Sequence, residues 1–311
     1  MTKTIAAKEE RKGRYACLLY DSTMKTILGT ARNEELFIDI IELLIPGKRI
    51  ASLEMLNKEH HGFVNSEKYV TFDLLCTDKD TGEEFLVEVQ NAEERTYRER
   101  MLYYSYFPIR EQLERKALDA LQKKAKMDYS LRPVYVISLL NFSLKHDSEE
   151  ALENGYISRY EIRNGHTREC FSSALNFVFV EMGRLPFWAH EESKCRTRLE
   201  RFVFSFKYMH TFTEFPKSFM EDPLLWKLAH AAELANLPVE QLNKYEKDMI
   251  DELDRELQKE FAHDEGFAEG GAKTKTAIAS AMLADNVSPE KVAQYTGLTV
   301  AEIEALASAN A

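Results

Sequence analysis

Two apolar, β-rich runs, each carrying one carboxylate, constrain this chain most. The first, Tyr69–Cys76, contains Asp73; the second, Phe85–Gln90, contains Glu88. Between them, Asp78-Lys79-Asp80-Thr81-Gly82-Glu83 is dense in turn formers, so the pair reads as a β-hairpin. Side chains alternate across a strand, which puts Glu88 and Gln90 on one face and Val87 and Val89 on the other, with Asp73 opposed to Phe72 and Leu74. An ionised carboxylate is costly in an apolar strand unless something partners it. Acids from two neighbouring strands that converge on one spot favour a hard divalent cation held by oxygen ligands.

The sequence around the hairpin supplies the rest of a sheet. In Asn33–Leu44, the residues Leu36, Phe37, Ile40, Ile41 and Leu44 recur at helical spacing behind Asn33 as N-cap, and Pro46-Gly47 ends the helix. Arg49–Leu53 allows a short strand. From Ala92 to about Lys126 a long charged helix is expected, interrupted near Pro108. Arg132–Phe142 is an almost continuous apolar run, typical of a central strand covered on both faces. Tyr156–Ile162 and Leu175–Met182 add two more strands. The order hairpin, helix, central strand, further strands predicts an α/β fold: a mixed sheet core flanked by helices.

After Trp188 only helical patterns remain, at Arg196–Met209, Pro223–Leu234 and Leu242–Phe261. Gly266–Gly271 reads as a hinge or linker. Beyond it, Pro289 behind Ser288 starts one short helix, and Thr299 with Glu302 forms a capping box for the next. Gly297 lies between them, a helix-turn-helix-like outline. Val300–Ala305 offers alanines and glutamates where a base-reading helix needs cations or amides, which favours a packing or oligomerisation module. The expected organisation is a sheet domain over residues 1–190, a helical extension over 191–265 and a small helical module over 272–311.

Acidic residues number 52 against 41 lysines and arginines, a net charge of −11 in 311 residues. A surface for a polyanion must then draw its positive charge from a local patch or a bound metal. The four cysteines have no CxxC spacing, which argues against a zinc knuckle or a disulfide framework and fits a reducing compartment. The N-terminal stretch has no apolar signal core and no run reaches the length of a membrane span, so a cytoplasmic location without a membrane partner is expected.

Asp on one strand and Glu-x-(Lys/Gln) on the next, after a helix carrying a glutamate, resembles the PD-(D/E)XK nuclease core. More specifically, the chain resembles the recombination-promoting nuclease/transposase family of that superfamily. The segments Asn33–Asp39, Leu53–Asn57, Phe72–Cys76, Val87–Asn91, Arg132–Ile137 and the tail from Ile278 to Leu298 carry the likeness. It implies a restriction-endonuclease-like fold with an all-helical C-terminal region and a metal-dependent DNA endonuclease linked to recombination or mobile elements. By the same resemblance, Asp73 and Glu88 bind Mg2+ or another divalent cation such as Mn2+. The backbone carbonyl of Val89 is a further ligand, and Glu35 adds a carboxylate or binds a second ion. Gln90 stands where the general motif has lysine; glutamine can bond a water or phosphate but brings no charge.

Arg98 and Arg100 are candidates for the missing cation, because the guanidinium fork suits phosphate. Ideal helical geometry separates them by about 160°, so one of the two faces the site. The alternative reading is a catalytically weak or inactive nuclease-fold protein that binds DNA or acts as a scaffold through its helical tail. The C-terminal helices are the expected surface for a homo-oligomer.

Overall fold

The computed structural model describes residues 13–56, 59–61, 69–148, 150 and 152–309. The chain forms two compact units, Met1–Glu246 and Lys247–Ala311. The first contains strands β1 (Leu53–Met55), β2 (Glu59–His61), β3 (Tyr69–Thr71), β4 (Leu74–Asp78), β5 (Glu84–Gln90), β6 (Val134–Leu140), β7 (Ile157–Arg163) and β8 (Cys170–Glu181). Six of them make one mixed sheet in the order β1-β4-β5-β6-β8-β7, while β2 and β3 pair separately. β4 and β5 are antiparallel, β5, β6 and β8 run parallel, and β7 returns antiparallel along β8.

Alternation along the strands decides what covers each face. Val87, Val89, Ile137, Leu139, Val178 and Val180 face one core, which also takes in α1 (Asp21–Leu28), α2 (Glu34–Leu44), α4 (Arg198–Tyr208) and α6 (Pro223–Ala232). Leu86, Val136, Leu140 and Phe179 face the other core, under the crossover helix α3 (Tyr97–Lys123). The central position of β6 and its burial on both faces follow from its uninterrupted apolar run. The β4–β5 turn is an Asx turn: Asp78 accepts from the Asp80 N–H at 2.9 Å and from the Thr81 hydroxyl at 3.0 Å. Gly82 takes the φ of +71° that the turn requires.

Several expectations change. The run Tyr69–Cys76 is not one strand; it breaks at Phe72–Asp73, so Asp73 sits at a bend immediately before β4. Helix α3 passes through Pro108 without ending. The proline cannot donate to the preceding turn, but buried Phe107, Pro108 and Gln112 hold that side of the helix against the protein. The short β-region expected at Arg49–Leu53 forms later, at Leu53–Met55. A short helix, α5 (Lys217–Met220), lies between α4 and α6.

Helix α7 (Val239–Ala284) continues through Gly266–Gly271, so these glycines are neither a hinge nor a linker. Each glycine costs roughly 1 kcal/mol against alanine. Ala268, Glu269, Ala272 and Lys273 are strong helix formers, and the Thr274 hydroxyl bonds back to the Gly270 carbonyl at 2.8 Å. In the second unit, α8 (Pro289–Thr296) and α9 (Val300–Ala309) pack with the end of α7 around Ala279, Val292 and Ile303. Gly297 closes α8 in the left-handed region at φ +70°. Thr299 and Glu302 exchange the bonds of a capping box: the Thr299 N–H donates to the Glu302 carboxylate at 2.8 Å and the Glu302 N–H to the Thr299 hydroxyl at 3.3 Å. The four cysteines form no disulfide. Among the described residues, no helix is long and apolar enough to cross a membrane.

Candidate active site

The antiparallel ladder of β4 and β5 pairs Leu74 with Val87, so the next rung brings Asp73 beside Glu88. Each carboxylate holds a backbone amide on the facing segment. The Asp73 N–H donates to Glu88 Oε1 at 3.0 Å, and the Val89 N–H donates to Asp73 Oδ2 at 2.8 Å. The bend at Asp73 makes this exchange possible, because an amide turned out of the ladder is left for a side chain to satisfy. Both residues are buried, at 7% and 6% exposure. Val89 thus contributes its amide to the pair.

Burial and like charge dominate the electrostatics. Desolvation raises the Asp73 pKa far above the usual carboxylate range, and the charges of Glu88 and Asp21 add to it. Burial also raises that of Glu88, although the Asp73 amide, Arg100 and Lys25 hold it down in part. Two adjacent acids that resist ionisation together mark a candidate functional site.

Helix α1 brings two residues that sequence reasoning missed. It packs on β5 and buries Thr23, Met24, Ile27 and Leu28. Its first residue, Asp21, hydrogen-bonds the Asp73 side chain. One turn on, Lys25 Nζ lies 2.6 Å from Asp21 Oδ1 and 3.2 Å from Asp73 Oδ1. Burial works against the Lys25 ammonium, but the two aspartates outweigh it and raise its pKa. The signal in the sequence was the i,i+4 spacing of Asp21 and Lys25.

Gln90 does not stand free. Its Oε1 accepts from Arg100 Nη2 at 2.7 Å, and its Nε2 donates to the Ala92 carbonyl at 3.0 Å. Arg100 also pairs with Glu94 at 2.7 Å and lies over the Tyr97 ring, 5.0 Å from its centroid. Arg98, on the other side of α3, reaches away to the Lys145 carbonyl and to Tyr160. Of the two arginines, the structure brings Arg100 to the acids. Glu35 is not brought there: it is 84% exposed and pairs with Lys227 at 3.1 Å. The α2 residues Leu36, Phe37, Ile40 and Ile41 face the core, which leaves Glu35 on the outer side.

Among the described residues, no three His, Cys, Asp or Glu side chains form a ready-made coordination cluster. Magnesium does not need one, since it keeps several waters and takes one or two protein carboxylates together with substrate phosphate. Asp73 and Glu88 are all-oxygen donors, adjacent, and held back from ionisation chiefly by burial, so their chemistry fits a hard divalent cation.

The family model of the PD-(D/E)XK nuclease family transposase matches residues 18–262. Comparison with curated proteins and with solved structures gives no match. The matched span includes Asp21, Lys25, Asp73, Glu88, Gln90 and Arg100. PD-(D/E)XK nucleases generally use divalent metal ions.

Proposed function

We propose that this chain, which belongs to the PD-(D/E)XK nuclease family transposases, is a metal-dependent DNA endonuclease that hydrolyses phosphodiester bonds in recombination or in the movement of mobile elements. The observation that carries the reading is the Asp73–Glu88 pair: two buried acids side by side in the hairpin, Glu88 fixed by the Asp73 backbone amide and Asp73 by the Val89 amide.

In this reading Asp73 and Glu88 hold Mg2+ or Mn2+, with the Val89 carbonyl as a backbone ligand and Asp21 bonded to Asp73 beside them. The ion supplies positive charge at the scissile phosphate and lowers the pKa of a bound water. Lys25 places an ammonium beside Asp73 and takes the part that the motif lysine plays elsewhere. Gln90 works through Arg100: its carbonyl oxygen and Glu94 hold the two terminal guanidinium nitrogens, which fixes the positive charge beside the acids. Lys25, Arg100 and the ion together answer the net charge of −11. Residues 272–311 act as a packing module that joins copies of the chain.

One observation favours the alternative of an inactive DNA-binding scaffold: Glu88 and Asp73 already bond the backbone amides of Asp73 and Val89. Plasmid nicking separates the two readings. With Mg2+ or Mn2+ the wild type converts supercoiled plasmid to open circle, and Asp73→Ala loses at least ~100-fold in rate with an unchanged circular-dichroism spectrum. A wild type that cuts nothing with either ion gives the case to the scaffold.

A further inference from the structure

The sheet face that carries Glu88 holds a second polar cluster, two to three strands away on β8 and β7. Glu181 ends β8 fully buried. It accepts from the Leu144 N–H at 2.7 Å and from Arg184 Nε at 3.0 Å, and it pairs with His146 Nε2 at 2.5 Å. Gly183 allows this: a Cβ there would stand 2.6 Å from the Phe142 carbonyl carbon, so only glycine lets the turn after β8 press onto the exit of β6.

The carboxylate thereby fixes which imidazole nitrogen faces outward. His146 Nδ1 lies 3.4 Å from Arg98 Nη2 and 3.4 Å from the Tyr160 hydroxyl, and those two are 3.4 Å from each other. Arg98 Nη2 is held by the Lys145 carbonyl at 2.8 Å, and its guanidinium lies 5.8 Å from the Tyr160 ring centroid. Tyr160 in turn packs on Phe179, with ring centroids 5.8 Å apart. The His146 side chain is buried, whereas Arg98 and Tyr160 are exposed. All three sides of this triangle exceed the usual 2.7–3.0 Å or so of a good hydrogen bond, so an acceptor oxygen seated on it would draw shorter bonds from the arginine and the phenol.

We propose that Arg98 and Tyr160, braced by His146 and Glu181, form a phosphate subsite for the nucleic-acid strand that passes the Asp73–Glu88 pair. The inference rests on the nuclease reading for the identity of that strand. Arg98 brings a permanent charge and a planar donor fork, and Tyr160 a neutral O–H donor, both common phosphate contacts. From β5 to β7 the sheet spans three strand spacings, about 14 Å, against a rise of ~3.4 Å per nucleotide in a B-form strand. The phosphate bound here therefore lies about four nucleotides from the scissile one.

Binding of the full-length protein to a fluorescent DNA duplex, followed by anisotropy in EDTA across a series of KCl concentrations, tests the subsite without cleavage. Arg98→Gln and Tyr160→Phe both leave the core intact, and thermal melts confirm it. Arg98→Gln is expected to weaken binding about 5–10-fold and to flatten the slope of log K against log salt by ~0.9, the loss of one phosphate contact. Tyr160→Phe is expected to weaken binding several-fold with the slope unchanged. An Arg98→Gln variant with wild-type affinity and slope overturns the subsite, as does a wild type that binds no DNA. Plasmid cleavage with Mg2+ tells the two readings apart. A protein that does not cut but shows the Arg98-dependent slope loses the nuclease reading and keeps the subsite. One that cuts, with a slope indifferent to Arg98, does the reverse.

Discussion

Replacing Asp73 by asparagine should make the protein more stable at alkaline pH while it removes the proposed metal site. The Asn carbonyl oxygen can still accept from the Val89 N–H, so the 2.8 Å bond to the backbone survives. What disappears is an acid that must either carry a second charge beside Glu88 or hold its proton against solvent. Side chains directly opposite each other across two antiparallel strands lie about 5 Å apart, and two unit charges at that distance repel by about 3 kcal/mol at an effective dielectric of 20. The lost partner is Lys25, which is partly exposed and also bound to Asp21; a pair of that kind contributes up to ~1 kcal/mol. The balance is about 2 kcal/mol in favour of the variant, or roughly 4–8 °C in melting temperature. The sign with pH follows from the raised pKa of Asp73. The native state binds the proton more tightly than the unfolded chain, so wild-type stability falls as pH rises above the unfolded value near ~4 and up through the folded one. Wild type and variant should converge near pH 4 and separate towards pH 8. Differential scanning fluorimetry at both values, with and without 10 mM MgCl2, reads all of this. Magnesium should raise the wild-type melting temperature at pH 8 and leave the variant where it was. An Asp73→Asn protein that melts at or below the wild type at pH 8, or an equal gap at both pH values, refutes the reasoning.

Two further outcomes bear on the site. Glu35→Gln should leave plasmid nicking within about twofold of wild type, since its described ion pair is with Lys227; a loss of 10-fold or more would bring Glu35 back into the chemistry. Gln90→Lys restores the motif lysine but sets an ammonium against Arg100 and gives up the bonds to Arg100 and the Ala92 carbonyl. It should lower stability by about 1–2 kcal/mol in a urea melt and yield no faster cleavage; a gain in nicking rate would show that Lys25 and Arg100 do not supply the missing cation.

The parts of this site that could be read from the sequence are those fixed by local periodicity. The alternation in Phe85–Gln90 placed Glu88 and Gln90 together, and the turn formers at Asp78–Glu83 fixed the hairpin that brings Asp73 alongside. Helical geometry separated Arg98 from Arg100, and the two arginines reach different strands of the same sheet face, Arg98 towards β7 and Arg100 towards β5. Asp21 and Lys25 were harder to see because their helix is short and contains Ser22, Thr23 and Thr26, residues of modest helix propensity. Eight residues do not form a stable helix alone; this one exists because Met24, Ile27 and Leu28 are buried in the core around β5. Nothing local announces that packing. Glu35 shows the converse. The spacing of Leu36, Phe37, Ile40 and Ile41 already set Glu35, Asp39 and Glu42 on the outer side of the helix, and Lys227 now bridges Glu35 and Asp39. Resemblance assigned Glu35 to the metal, whereas periodicity alone would have kept it away. Where the two disagree about a residue on an amphipathic helix, the face it occupies is the stronger evidence, because turning that helix would expose five buried apolar side chains, each worth roughly 1.5–3 kcal/mol.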